Sequence, residues 1–143
     1  YTDILRLPLA VMAKRRHGIG GKELELYSIM GDVKGKVAII IDDIITSGSI
    51  VKQAELLIDA GVQEVYLSIT HPILASQAME RLQSPVIKEL ITTNTVPVPK
   101  EKLLGKKVKV LSMAPLLAKV IKNIHQGKSV SQLFLKERIV FPV

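Results

Sequence analysis

The sequence contains no cysteine and no tryptophan, and only two phenylalanines and three tyrosines occur among its 143 residues. The absence of cysteine excludes disulfides, thiolate metal sites and cysteine nucleophiles, and it favours a reducing, cytoplasmic environment. The shortage of aromatic rings argues against single-stranded nucleic acid, whose bases stack on aromatic side chains. We therefore expect no nucleic-acid partner.

Long hydrophobic runs are also missing. The longest, around residues 37–41, is far shorter than the roughly 20 apolar residues of a membrane helix, and no signal-peptide pattern opens the sequence. We therefore expect no membrane partner. The net charge of +7 favours an anionic ligand.

The hydrophobic content, 48% of the residues, is almost entirely aliphatic. Such a composition suits buried parallel strands covered by helices. The length predicts one domain, over residues 1–143. Apolar patterns predict strands at residues 7–12, 24–30, 37–41, 64–69, 86–92 and 107–111, and helices at 50–61, 75–82 and 114–125. This alternation predicts a three-layer α/β fold, with a mostly parallel sheet and helices on both faces.

A basic segment, Lys14, Arg15 and Arg16, precedes the glycine-rich residues 18–21. We expect it to form a flexible loop between the first two strands. Cations on such a loop could close over a polyphosphate and stabilise the charge that develops during transfer. The alternative is a solvated basic loop without a catalytic role.

Two acids, Asp42 and Asp43, follow the most hydrophobic predicted strand. Ligands of parallel sheets bind beyond the carboxyl ends of the strands, so these acids are expected at a binding edge. Side chains alternate along a strand, and the two carboxylates should therefore diverge. One could accept hydrogen bonds from the cis-diol of a ribose.

The next residues suit a monophosphate. Thr46, Ser47 and Ser49 carry hydroxyl donors, and Gly48 permits a close backbone approach at the start of the next helix. The sequence thus predicts a sugar-phosphate site at residues 42–49. The alternative is that Ser49 is only a helix N-cap and that the two acids form a solvated turn.

Residues 42–49 resemble the ribose-phosphate-binding motif shared by phosphoribosyltransferases and ribose-phosphate pyrophosphokinases. The flanking segments are similar in order and spacing to the C-terminal half of the pyrophosphokinases. These segments are residues 7–10, 14–16, 31–36, 70–74, 93–97 and 129–134. One feature departs from the pattern, because this loop is one residue shorter than usual and has the spacing of orotate-type phosphoribosyltransferases.

The resemblance implies a phosphoribosyltransferase-like fold with a β-hairpin flap that carries the basic loop. It also implies Mg²⁺-dependent transfer of diphosphate from ATP to the C1 hydroxyl of ribose 5-phosphate, which gives phosphoribosyl pyrophosphate. Asp42 and Asp43 would contact the ribose hydroxyls, and either could hold a metal through water or the diol. Residues 46–49 would bind the 5-phosphate, and Lys14 and Arg16 would be the catalytic cations.

The same resemblance implies a homo-oligomer and places Ser129 and Ser131 in a regulatory segment, while residues 135–143 remain unassigned. The N-terminal half of the family, with its ATP-binding segment, has no counterpart in this sequence. We therefore expect the chain alone to lack kinase activity. Two further hypotheses are a non-catalytic regulatory paralogue and a small phosphoribosyltransferase.

Overall fold

The computed structural model describes residues 2–19, 22–98 and 107–135. The strands are β1 (Val11–Ile19), β2 (Lys22–Met30), β3 (Val37–Ile45), β4 (Glu64–Pro72), β5 (Ile87–Thr93) and β6 (Val108–Leu111). The helices are α1 (Thr2–Leu5), α2 (Ile50–Asp59), α3 (Ser76–Leu82), α4 (Ala114–His125) and α5 (Gln132–Leu135). β1 and β2 form a separate two-stranded sheet, and the other four strands form one sheet.

The four-stranded sheet is parallel, and its spatial order, β3-β4-β5-β6, is also its order in the sequence. Right-handed crossovers between successive strands place α2 and α3 on the same face of this sheet. The sheet confirms the predicted α/β class and the parallel pairing. It also brings the carboxyl ends of all four strands to one edge.

The core lies between this sheet and the two helices α2 and α3. Val65, Leu67 and Leu90 are fully buried on the sheet side. From α2 the buried residues are Ile50, Val51, Ala54 and Leu57, whose spacing puts them on one helical face. Ala78 and Leu82 bury the inner face of α3.

The opposite face of β3 is more open. Val37, Ile39 and Ile41 alternate with core-facing residues and are 52%, 49% and 43% exposed. The amphipathic helix α4 has no buried residue, and Ile121 on it is 66% exposed. In the three described ranges, no helix is long and apolar enough to cross a membrane.

The hairpin corrects the prediction for the basic segment. Lys14, Arg15 and Arg16 were expected in a loop, but they lie inside β1, which starts at Val11 and not at residue 7. The backbone ladder extends from Val11 opposite Met30 to Ile19 opposite Lys22, and this pairing outweighs the polar character of the segment. The glycines at positions 20 and 21 lie outside the described residues.

The end of β3 also differs from the prediction. The strand was expected to stop at residue 41, with the two acids beyond it, but it continues to Ile45. Ile44 and Ile45 pair with His71 and Pro72, so the ladder to β4 stabilises four more residues in an extended conformation. Asp42 and Asp43 therefore lie within the strand and not in a turn.

Candidate functional site

Asp42 and Asp43 lie in the second half of β3, where the strand imposes an alternating direction on their side chains. Asp42 shares the parity of Ala38 and Ile40, which pack against the core, and Asp43 shares the parity of the exposed Ile41. The two side chains therefore leave the strand on opposite faces. Asp42 Oδ1 accepts a hydrogen bond of 2.9 Å from the Asp43 N–H.

The acids were also predicted as possible metal ligands. Within the described part of the chain, no group of three or more His, Cys, Asp or Glu side chains could hold a metal ion. Neither Asp42 nor Asp43 forms an ion pair with another described residue. Mg²⁺ typically takes one or two protein carboxylates and completes its shell with water and substrate phosphates. Because the two side chains leave the strand on opposite faces, only one of these exposed carboxylates at a time could serve such an ion.

The loop after β3 is held by its carbonyl groups. Five consecutive carbonyls, from Ile45 to Ser49, each accept a hydrogen bond at 3.0 to 3.2 Å. The Ile45 carbonyl accepts from the N–H groups of Ile73 and Leu74, and the Thr46 carbonyl accepts from that of Ala75. The Arg81 guanidinium donates to the Ser47 carbonyl. The carbonyls of Gly48 and Ser49 accept from the N–H groups of Val51 and Lys52, respectively. The loop is thus anchored by α2, α3 and the segment before α3.

The amide groups of the same loop remain available. Among the described residues, none accepts a hydrogen bond from the N–H of Ser47, Gly48 or Ser49. These amides immediately precede α2, a ten-residue helix whose N-terminus carries partial positive charge. Successive free amides at a helix N-terminus form a binding site for anions, and for phosphate in particular.

Gly48 is required by the shape of this loop. Its φ is +73°, a left-handed conformation that L side chains rarely adopt, and the residue is buried against α3. A Cβ atom at this position would lie 2.9 Å from the Cα of Ala78 and 3.3 Å from the Ala78 carbonyl oxygen. Only glycine allows the loop to approach α3 this closely.

The hydroxyl groups of the loop are also available to a ligand. Ser49 is at the N-cap position of α2, but its side chain makes no capping hydrogen bond. The N-cap hypothesis therefore accounts for the position of Ser49 and not for its hydroxyl. The side chain of Thr46 is exposed, and that of Ser47 is partly buried.

The hairpin reaches α2 just after the loop. The Lys52 Nζ lies 5.7 Å from the centre of the Tyr27 ring, a distance at which a cation and a ring attract. Tyr27 is the register partner of Lys14, and Arg16 pairs with Glu25. The backbone of Lys14 therefore lies beside that of the residue whose ring contacts Lys52, while the side chains of Lys14 and Arg16 lie outside the description.

A polar network occupies the same sheet edge at the ends of β4 and β5. His71 Nδ1 is 2.9 Å from Thr95 Oγ1, and the hydroxyls of Thr93 and Thr95 donate to the Thr70 carbonyl at 2.7 and 3.0 Å. The network joins the ends of two neighbouring strands, because the Thr70 carbonyl and the His71 ring lie more than 20 positions before Thr93 and Thr95 in the sequence.

Two predicted residues lie away from β3 in the sequence. Ser129 and Ser131 lie between α4 and α5. The Ser129 carbonyl accepts a hydrogen bond from Asn123 Nδ2 at 3.0 Å, and the Ser131 carbonyl accepts one from the Phe134 N–H at 3.1 Å.

Arg81 was not identified from the sequence, although its guanidinium donates a hydrogen bond to the Ser47 carbonyl of the loop.

Comparisons with known proteins identify the family of this chain. Residues 1–135 match the family described as the phosphoribosyl synthetase-associated domain. A ribose-phosphate pyrophosphokinase from Caldanaerobacter subterraneus subsp. tengcongensis is 47% identical over 135 residues, covering 94% of this chain and 42% of that relative. The chloroplastic ribose-phosphate pyrophosphokinase 2 of Arabidopsis thaliana is 47% identical over 129 residues, covering 90% and 32%.

A solved structure gives the same result. The crystal structure of phosphoribosylpyrophosphate synthetase from Mycobacterium smegmatis superposes with a TM-score of 0.67 at 37% identity. The superposition covers 71% of this chain and 34% of that structure. The chain therefore spans less than half the length of each relative it matches.

Proposed function

This chain belongs to the phosphoribosyl synthetase-associated domain family, and we propose on that basis that it forms the ribose 5-phosphate site of a ribose-phosphate pyrophosphokinase. The observation that supports this proposal most strongly is the loop after β3. Its carbonyls are all engaged by protein donors, whereas no acceptor in the described part of the chain binds the amides of Ser47, Gly48 and Ser49, which leaves them to an anion. Asp42 and Asp43 lie in β3, separated from this loop by Ile44 and Ile45.

The site would bind the two ends of the sugar phosphate by different chemistry. The 5-phosphate would accept hydrogen bonds from the free amides and from the hydroxyls of Thr46, Ser47 and Ser49. The ribose hydroxyls would donate to the carboxylate oxygens of Asp42 and Asp43, which are acceptors only when ionised. The neutral diol would thus face the acidic residues of β3, and the dianionic phosphate would face the partial positive charge at the start of α2.

In the complete enzyme, the C1 hydroxyl oxygen would form a bond to the β-phosphorus of ATP. The bond from that phosphorus to the oxygen bridging to the α-phosphate would break, AMP would leave, and the hydroxyl would lose its proton. Mg²⁺, when bound with ATP, would neutralise phosphate charge, and Asp42 or Asp43 would hold it directly or through water. Lys14 and Arg16 would stabilise the charge that develops on the transferred group.

Calorimetric titration with ribose 5-phosphate tests the proposal directly. A binding assay is preferable to turnover, because more than half of the relatives' length lies outside the match. We expect saturable binding by the unmodified chain. Asp43→Ala should weaken it roughly 10- to 100-fold, since a hydrogen bond to a charged group contributes about 1.5–3 kcal/mol.

Asp59→Ala provides the matched control. Asp59 is an exposed acid at the opposite end of α2, so its removal changes the net charge equally without touching the loop. Binding by this variant should equal that of the unmodified chain. The proposal is wrong if the unmodified chain shows no saturable binding, or if both variants lose affinity to the same extent.

The short loop favours a second candidate, a small phosphoribosyltransferase. Residues 42–49 have the spacing of orotate-type enzymes, and Gly48 closes this shorter loop directly onto Ala78. Such an enzyme would consume phosphoribosyl pyrophosphate only in the presence of a nitrogenous base. An assay of pyrophosphate release with and without a panel of bases distinguishes the two candidates.

A further inference from the structure

We propose that Arg81 is a positioning residue of the phosphate loop, which orients the Ser47–Gly48 peptide so that the Gly48 N–H faces the phosphate. This inference rests on the proposed function, because it concerns the same phosphate. Arg81 lies on α3, outside the motif of residues 42–49 and 34 positions from Ser47. It extends the site from one strand and its loop to a second helix.

The geometry of a single peptide group gives the reason. Arg81 Nη1 donates a hydrogen bond of 3.0 Å to the Ser47 carbonyl, so this carbonyl points towards α3. The described residues contain no cis peptide bond, and in a trans peptide the carbonyl and the following N–H point in opposite directions. Fixing the Ser47 carbonyl therefore turns the Gly48 N–H away from α3, towards the open side of the loop.

Arg81 differs from the other groups that anchor the loop. The carbonyls of Ile45, Thr46, Gly48 and Ser49 all accept from backbone N–H groups, which every substitution except proline leaves in place. Among the described residues, the Ser47 carbonyl is the one loop carbonyl that a side chain holds. A conservative substitution of Arg81 can therefore release the orientation of the Ser47–Gly48 peptide.

The surroundings of Arg81 favour an anchor over a direct ligand of the phosphate. Its Cβ lies on the surface that contacts Gly48, 3.3 Å from where a Cβ of that residue would be. The side chain lines a cleft of about 510 Å³ between α2 and α3, together with Glu55 and Glu80. The second nitrogen of the guanidinium, Nη2, lies 3.5 Å from Gln77 Oε1, so both ends of the guanidinium face protein acceptors, the loop carbonyl on one side and α3 on the other.

Arg81→Met is the informative variant, because it keeps the aliphatic stem that packs on the loop and removes the donors. We expect it to weaken the binding of ribose 5-phosphate and of inorganic phosphate about tenfold, or ~1.4 kcal/mol. Arg81→Lys keeps one donor and should restore part of this loss. Lys88→Met removes one charge at the other end of the sheet and should change neither affinity.

A second measurement separates positioning from general stability. In ¹⁵N-resolved NMR spectra, the Gly48 amide of the unmodified chain should shift on addition of inorganic phosphate, and this shift should be much smaller in Arg81→Met. A role in folding alone would lower the melting temperature and leave the Gly48 response unchanged. If Arg81→Met does not fold, the same comparison applies to Arg81→Lys, for which we expect a reduced response.

The outcomes distinguish this inference from the function on which it rests. If the unmodified chain binds ribose 5-phosphate and the Arg81 variants bind it equally well, the inference is overturned and the proposed function stands. If the unmodified chain binds neither ribose 5-phosphate nor inorganic phosphate, both are overturned. A loss confined to the Arg81 variants, with an altered Gly48 response, supports both.

Discussion

Gly48→Ala should destabilise the protein much more than Gly35→Ala, although both glycines have nearly the same backbone conformation. Their φ angles are +73° and +72°. A Cβ at Gly35 would meet no heavy atom within 4 Å, whereas one at Gly48 would lie 2.9 Å from the Cα of Ala78. The pair therefore separates the cost of the conformation from the cost of the contact.

The magnitudes follow from these two terms. A left-handed conformation costs a non-glycine residue about 1–2 kcal/mol, and the stiffer unfolded chain returns about 0.4–1 kcal/mol. Gly35→Ala should therefore cost about 1 kcal/mol. Forcing a methyl group against the backbone of α3 adds about 1–3 kcal/mol, as for other overpacked sites, so Gly48→Ala should cost about 2–4 kcal/mol.

Urea unfolding of both variants at 25 °C measures the difference. We expect equal m-values and a midpoint that falls further for Gly48→Ala, because the native contact alone differs between the two. Ribose 5-phosphate binding should weaken for Gly48→Ala and remain unchanged for Gly35→Ala. Equal destabilisation by the two substitutions would refute the close approach of the loop to α3.

Two further predictions concern stability away from the loop. Thr92→Val should stabilise the protein by about 1 kcal/mol, as measured by urea unfolding. The reason is that the Thr92 hydroxyl is buried without a hydrogen-bond partner among the described residues. A destabilised variant would show that the hydroxyl is bonded. The Lys88 ammonium and the Tyr66 hydroxyl, each 3.0 Å from a carboxylate oxygen of Glu64, lower the pKa of that carboxyl group. This stabilisation is present above the pKa of an unfolded glutamate, about 4.3, and is lost as the pH falls through the lower pKa of the folded state. Glu64→Gln should therefore reduce the acid-induced loss of stability measured between pH 5 and pH 3, and an unchanged pH profile would contradict the interaction.

The sequence predicted the features that depend on local pattern. The continuous apolar run at residues 37–41 indicated a strand, and the spacing of Ile50, Ala54 and Leu57 indicated a helix with one apolar face. The central position expected for that strand was wrong, because β3 is an outer strand of the four-stranded sheet. The order of these elements predicted the parallel sheet, and therefore the edge at which Asp42 and Asp43 lie. These predictions succeed because hydrophobic periodicity reports which side of an element is buried.

Predictions failed where backbone pairing outweighs residue type. The polar segment around Lys14 and Arg16 was expected in a loop, yet β2 pairs with it throughout. The acids at 42 and 43 were expected beyond the strand, yet pairing of Ile44 with His71 extends it. Local composition contains no information about a partner strand, so the ends of strands were predicted less well than their centres.

What the sequence by itself determined is which residues make up the site: two acids that follow an apolar run, and then three hydroxyls and one glycine before a helix. Only the tertiary structure decided how that loop is held. The contact of Gly48 with Ala78 and the hydrogen bond from Arg81 to the Ser47 carbonyl join positions 30 and 34 residues apart. Such contacts exist only after α3 has packed against the sheet beside α2, because the chain brings distant residues together through its crossover connections.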